Sequence, residues 1–439
     1  MKILNLFLVS TKLFLVGVSL SLLSPFYPTQ ARAKGVSVTM TGLVIGTAYV
    51  TVILATPLCG KYAQRLGARR FLILGAFLIG AGNIFFGFLR YVRDTTAFFS
   101  LSLVIRFVIA LGDSAVAPTA LTLAGKQVSE THKGKVLAVA QAFFAIGTMF
   151  GPAVGGYLFD FGGFSSPFFV TGSTTMLLSF VSLLCFKDQR DVDNLDNNVE
   201  NISWMKILNI SGVPVGIFSI VFAGIAKRWY AASLGPFLSD TFDLTSSQIG
   251  LVFMPFGLVY SFCAPLVGFL TDRGLDHLLT IIIGNSLISL SLFLIGPIPP
   301  LIPLMGQQLS VTVAAIGLQG VGSGFSYIGS FVYMNKQVAM SDLPKSDQAN
   351  AMVSSLWLTS ECLGCLIGST LGSFFSDILD FETGTMSLAC AMCGSVFFVV
   401  ICMVRFRSMK KYRAPGQGQG AEEPLLSNSR GLYQSYNAI

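Results

Sequence analysis

The chain has 439 residues, of which 53% are hydrophobic and 11% charged, with a mean hydropathy of +0.71 and a net charge of +7. A soluble globular protein carries about 25% charged residues, so this composition excludes a water-coated globule, a disordered chain and a disulfide-rich secreted module. The basic excess is dispersed through loops, with no stripe of bases and interleaved aromatics, which excludes a nucleic-acid surface.

Apolar runs of about 18 or more residues are candidate membrane helices. In chain order they predict spans at 3–24, 38–59, 71–89, 97–124, 136–158, 167–186, 213–236, 247–270, 278–296, 304–334, 350–375 and 384–404. The first run, with Lys2 before it and Ala31-Arg32-Ala33 after it, imitates a signal peptide. Its apolar stretch exceeds an ordinary signal core of about 7–15 residues, so it is read as the first span. A polar stretch from Lys187 to Trp204 separates six spans from six. The expected organisation is a six-helix bundle over 1–186, a cytosolic loop over 187–212, a second six-helix bundle over 213–404 and a cytosolic tail over 405–439. The fold class is an all-α membrane protein of twelve transmembrane helices in two six-helix pseudo-repeats.

Orientation follows from the bases. With both termini cytosolic, the loops carrying Arg65, Arg69 and Arg70, Lys133 and Lys135, Arg190, Arg273 and Lys345 all fall inside. The outer side then holds only Arg32, Lys34, Arg90 and Arg93, as the positive-inside rule requires.

The two halves repeat. Gly42, Pro57 and Gly60 recur at an offset of 208 as Gly250, Pro265 and Gly268, and Pro25-Phe26 recurs at 211 as Pro236-Phe237. Lys126-Gln127-Val128 recurs at 210 as Lys336-Gln337-Val338, and Gly147, Gly151 and Gly155 recur at 217 as Gly364, Gly368 and Gly372. Parallel repeats of six helices, with a site between them, are one construction of secondary transporters.

The loop after the second span carries Gly60, Gln64, Arg65, Gly67, Arg69 and Arg70; the loop after the eighth carries Gly268, Asp272, Arg273 and Gly274. These segments resemble the G-x-x-x-D-R-x-G-R-R signature of the major facilitator superfamily, and the resemblance extends over nearly the whole chain. It implies that Gly60, Arg65, Gly67, Gly268, Asp272 and Arg273 form gating loops. The acid survives only as Asp272; Gln64 replaces it in the first copy, so that latch is expected to be the weaker one. In the fifth span Gly147, Gly151, Pro152, Gly155 and Gly156 match the superfamily's G-x-x-x-G-P-x-x-G-G antiporter signature in full. Glycines four apart share one face and admit a close neighbour, while Pro152 removes a backbone hydrogen bond.

Ionisable residues inside a membrane are functional candidates. The acids are Asp113 and Glu361; the bases are Lys12, Arg106, Lys227 and Arg228, with the last two near the middle of the seventh span. Arg106 sits where the superfamily carries a fourth-span arginine. Glu361 lies about one turn from the eleventh-span acid of vesicular amine transporters, and either titrates or pairs with a base. Asp113, Glu361, Arg106, Lys227 and Arg228 are therefore the candidate substrate and proton pathway. The eight cysteines all fall in or beside apolar runs, so Cys362/Cys365 and Cys390/Cys393 read as packing residues rather than zinc ligands. No phosphate-binding glycine-lysine loop occurs. No cofactor, metal or catalytic residue is expected, and the chain is not read as an enzyme.

Ser24-Pro25-Phe26-Tyr27-Pro28, Gly284-Asn285 and the run from Leu294 to Pro299 look like the vesicular polyamine transporter branch of the vesicular amine transporters. That resemblance implies antiport of protons against an amine or polyamine at an acidic vesicle, with the solute, protons and the bilayer as partners. In the tail, Glu422 to Leu426 resembles an acidic dileucine signal and Tyr436 to Ile439 fits a tyrosine-based signal, so sorting adaptors and a vesicle or endolysosomal membrane are expected. Two rival readings stand beside this one. The helical bases suggest an organic-anion carrier of the same fold. Gln64, with Ser369 and Ser373 in place of the second antiporter copy's proline and last glycine, suggests a non-transporting sensor.

Overall fold

A computed structural model describes residues 2–126, 128, 130–185, 204–296, 308–341 and 347–412. The described residues contain helices and no strand. The helices of the first half are α1 (Lys2–Ser21), α2 (Tyr27–Ala33), α3 (Val38–Leu66), α4 (Ala68–Phe88), α5 (Thr95–Lys126), α6 (Glu130–Gly162) and α7 (Ser165–Cys185). A short α8 (Trp204–Leu208) leads into α9 (Val213–Arg228), α10 (Leu234–Phe242), α11 (Ser246–Asp272), α12 (His277–Ile295), α13 (Leu309–Ala339) and α14 (Asp347–Tyr412).

Nine helices among the described residues are long and apolar enough to cross a membrane. One of them, Met352–Phe406, holds the eleventh and twelfth predicted spans, joined through a break at Asp380 (φ 65°, ψ 164°) rather than a loop. The first and seventh spans are interrupted and therefore short. α1 stops at Ser21 because Pro25 has no N–H and its ring opposes the carbonyl four residues back. α9 stops at Arg228, well short of the predicted end at 236, and the chain resumes as α10 with Pro236 inside its first turn. The Pro25/Pro236 repeat thus marks paired breaks. The chain from 204 to 208 is helical within the expected interdomain loop, and α14 runs on to Tyr412 into the expected tail.

Packing repeats as the sequence does. α1 lies on α6 and α4 on α5 and α7; in the second half α9 lies on α14 and α12 on α13 and α14. Each half has its own apolar core, one around Phe26, Tyr27, Phe86 and Phe168, the other around Ile220, Trp229, Leu292 and Met392. The halves join through α6 on α11, α3 on α14 and α2 on α10. These contacts crowd toward the face where α2 and α10 lie. A Cβ at Gly235 would sit 3.3 Å from the Ser24 carbonyl, and one at Gly42 would strike Ser369 and Ser373 of α14. At the opposite face, a Cβ at Gly67, Gly268 or Gly274 would meet no atom of the described residues within 4 Å. On the crowded face Lys34 donates to the carbonyls of Leu89 (2.9 Å), Arg90 (3.1 Å) and Val92 (2.5 Å), and desolvation there lowers its ammonium below the usual lysine range.

Candidate functional site

The two helix breaks free backbone carbonyls inside the membrane, where water cannot satisfy them. A side chain from the neighbouring helix does so in each half. Arg106 of α5 donates from Nη1 to the Ser19 carbonyl and from Nη2 to the Leu20 carbonyl, both at 3.2 Å. Gln319 of α13 donates from Nε2 to the Ala226 carbonyl at 3.0 Å and accepts the Tyr230 hydroxyl. Positions 106 and 319 differ by 213, within the offsets of the sequence repeat. Gln319 was not among the sequence candidates, because a neutral amide carries no charge signal; applying the repeat offset to Arg106 finds it.

Lys227 and Arg228 occupy the last turn of α9, at the break itself rather than at mid-helix. The helix ends just after them, and turns over 229–233 lead into α10. Lys227 Nζ bonds Glu361 Oε1 of α14 at 2.8 Å. Their side chains are 28% and 15% exposed, so the pair is partly wetted instead of sealed in the core. The same ammonium lies 5.4 Å from the centroid of the Tyr327 ring. Tyr327 meets Tyr260 and Trp357 edge-on, each at 5.9 Å, and Trp357 Nε1 donates to Ser330 Oγ at 3.1 Å. The result is an ammonium set between a carboxylate and the Tyr327 ring, which Tyr260 and Trp357 brace. From the first half, Tyr49 of α3 places its ring 5.6 Å from the Arg228 guanidinium. Tyr49, Tyr260, Tyr327 and Trp357 escaped sequence reading because aromatic residues are too common in apolar helices to stand out.

Asp113 lies apart from this cluster. It is 3% exposed on α5, with Arg106 as its charged neighbour and, among the described residues, no hydrogen-bond partner on either oxygen. Lys12 of α1 is equally sealed, at 1% exposed, and its Nζ has no partner among the described residues. The structure therefore brings Lys227, Arg228 and Glu361 together, uses Arg106 to hold a helix break, and leaves Asp113 within the first bundle.

The antiporter-signature glycines serve two neighbours. Gly147, Gly151 and Gly155 lie against α1, where a Cβ at Gly147 would strike the Phe14 carbonyl and one at Gly155 would sit 2.6 Å from that of Leu22. Gly156 and the Pro152 carbonyl face α11 of the other half, against Ser246 and Gly250. In the second half Gly364, Gly368 and Gly372 likewise lie against α9. There Ser369 and Ser373 pack on Gly42 as Pro152 packs on Gly250, so the partner-helix glycine is kept in both copies and close approach is retained.

In the loops at the opposite face, Gly67 (φ 92°) and Gly274 (φ 100°) hold a backbone conformation that disfavours other residues. Asp272 and Arg273 are exposed, with the Arg273 guanidinium 4.2 Å from the Phe269 ring centroid. Gly60 and Arg65 lie in the last turns of α3, and their surroundings fall outside the described residues, as do the tail signals at 422–426 and 436–439. Cys362 and Cys365 are free and buried, and no cluster of metal-ligating side chains occurs among the described residues.

The chain matches the sequence model of the Major Facilitator Superfamily over residues 11–215 and 216–435, one match for each half. It belongs to that superfamily: it is a multi-pass membrane transporter and not an enzyme. It is similar to the MFS-type transporter SLC18B1 of Homo sapiens, with 26% identity over 394 residues, covering 88% of this chain and 84% of the human one. SLC18B1 of Rattus norvegicus is 27% identical over 364 residues, covering 82% and 78%. Among solved structures, a bacterial homologue of the human lysosomal transporter Spinster in an inward-facing, occupied conformation shares the fold. Its TM-score is 0.71 at 13% identity, over 92% of this chain and 96% of that one.

Proposed function

We propose that the protein is a proton-coupled antiporter that loads an organic amine or polyamine into an acidic vesicle, with both termini in the cytosol. The observation that carries this reading is the seat of the Lys227 ammonium. A carboxylate at 2.8 Å and an aromatic face at 5.4 Å already hold an alkylammonium, in a partly wetted site where the two halves meet. Carboxylates and ring faces are the groups that bind such cations. A solute ammonium entering from water would meet the same chemistry, and exchange of that cation against a proton at this carboxylate is the coupling the reading requires. The likeness to SLC18B1 and the vesicular-transporter segments of the sequence support the amine class. The glycine faces on α6 and α14 support rocking of the halves without a leak.

A second reading, an organic-anion carrier, is favoured by Arg228, whose guanidinium lies against the Tyr49 ring of the other half and forms no ion pair among the described residues. Uptake into proteoliposomes under an imposed pH gradient separates the readings, with spermidine, a monoamine and an organic anion offered side by side. Spermidine or the monoamine should accumulate on the acid side. Accumulation of the anion alone would replace the amine reading by the second one. Binding without flux would make the chain a sensor. Protease treatment of sealed vesicles with the cytosolic face outward should remove a C-terminal epitope; protection of that epitope would reverse the orientation.

A further inference from the structure

At the face where the halves are joined, the first turns of α3 and α11 are treated alike. Each helix begins with its own cap: Ser37 Oγ accepts from the Met40 N–H at 3.2 Å, and Thr245 Oγ1 accepts from the Gln248 N–H at 3.4 Å. The amides before those remain without an intrahelical partner, as at any helix start. They are met by a carboxylate from the other half. Asp377 of α14 accepts from the Val38 N–H at 3.1 Å and the Thr39 N–H at 2.7 Å, and also from the Thr39 hydroxyl. Asp160 of α6 accepts from the Ser247 N–H at 2.8 Å and the Ser247 hydroxyl at 2.5 Å. Positions 160 and 377 differ by 217, the offset of the antiporter glycines on the same two helices, and 39 and 247 differ by 208, the offset of the Gly42/Gly250 repeat.

We propose that Asp160 and Asp377 are a pair of latches that hold the two halves together at this face, each by clasping a helix start of the opposite half, and that both open in every transport cycle. A negative charge at a helix N-terminus is favoured by the helix dipole and by the free amides. Both carboxylates are exposed, so each clasp is weak enough to release. Their position is what gives them leverage. The halves must part here for the site to face this side, and each clasp crosses from one half to the other at the rim. Arg32 of α2 and Asp240 of α10, 2.5 Å apart and also exposed, form a third crossing at the same face. The proposal needs only alternating access; it does not depend on which solute is carried.

The test reads which face is open. Ala232 is 1% exposed beneath the joined face, packed with Ile45 of the other half. Leu358, one turn before Glu361, is 47% exposed. A cysteine is placed at one position or the other, and its rate of labelling by a membrane-impermeant maleimide in detergent is scored against the parent chain. Asp160→Asn or Asp377→Asn should raise labelling of Ala232→Cys roughly threefold, and the double variant roughly tenfold, as expected for a helix-end charge of ordinary strength. Labelling of Leu358→Cys should fall in the same variants. Unchanged rates at both positions would overturn the proposal, and so would a rise at both, which marks a loosened fold instead of an opened face. Thr39→Val with Ser247→Ala removes only the hydroxyl share of each clasp. It should move both rates in the same directions by a smaller factor, and it decides the matter if the aspartate variants do not yield folded protein.

Discussion

The centres of the two halves are built on one plan and filled with different chemistry. In the first half a helix break is held by Arg106, a charge sealed at 2% exposed, with Asp113 as its charged neighbour. In the second half the equivalent break is held by neutral Gln319, and the charges have moved to Lys227 and Glu361, on the wetted side of the break. The comparison teaches that the backbone plan needs only a hydrogen-bond donor at these positions. Where that donor is neutral, the half is free to place ionisable groups where a solute can reach them.

The largest expected effect is on transport. Glu361→Gln should abolish pH-driven accumulation in proteoliposomes, whereas Asp113→Asn should leave it within about a factor of ten, since only Glu361 is partly wetted. Accumulation that survives Glu361→Gln and is lost with Asp113→Asn would move the coupling site to the first half.

The next effect is on stability. Arg106→Leu strands two carbonyls that accept from a charged donor and should cost about 3 kcal/mol, while Gln319→Leu should cost about 1–2 kcal/mol. Arg106→Gln, which copies the second half's solution, should fall nearer the smaller figure. Unfolding midpoints in detergent measure all three, and equal losses for the two leucine variants would erase the asymmetry drawn here.

A double-mutant cycle sharpens the second half alone. Lys227→Met leaves a carboxylate without its ammonium and should destabilise; adding Glu361→Gln should restore about 1–2 kcal/mol of that loss. Additive losses would mean that the pair contributes position and no coupling.

The last comparison sets a helix contact inside the first half against the open face. Gly147→Ala pushes a methyl into the α1 backbone and should cost about 1–3 kcal/mol. Gly268→Ala, with open space around it, should stay within about 0.5 kcal/mol. A loss at Gly268 equal to that at Gly147 would mean that the open face is packed in the folded protein.

Much of this was legible beforehand, for reasons that can be named. Membrane spans announce themselves because hydrocarbon excludes charge over about 20 residues. The antiporter glycines are legible because they match a signature of the superfamily in full, and close approach of helices accounts for its spacing. The breaks after Ser21 and Arg228 were half visible, as the Pro25/Pro236 repeat, but an apolar run continues through each of them and the run was read as one helix. Glu361 was seen as an acid in an apolar helix; that its partner is Lys227 was not, because the two are separated by 134 positions in the chain.

The sequence by itself determined the class of fold and the two-fold internal repeat, which rest on composition, spacing and order along the chain, and the membership of the superfamily, which rests on the match of both halves to its sequence model. The tertiary structure alone decided what each charge does. Lys12, Arg106, Lys227 and Arg228 read alike as bases in apolar helices, yet one is sealed in the first bundle, one holds a broken helix, one pairs with a carboxylate and one faces a ring of the other half. Their roles depend on which helix faces them and whether water reaches them. Both are set by the packing of segments far apart in the chain, which no local pattern encodes.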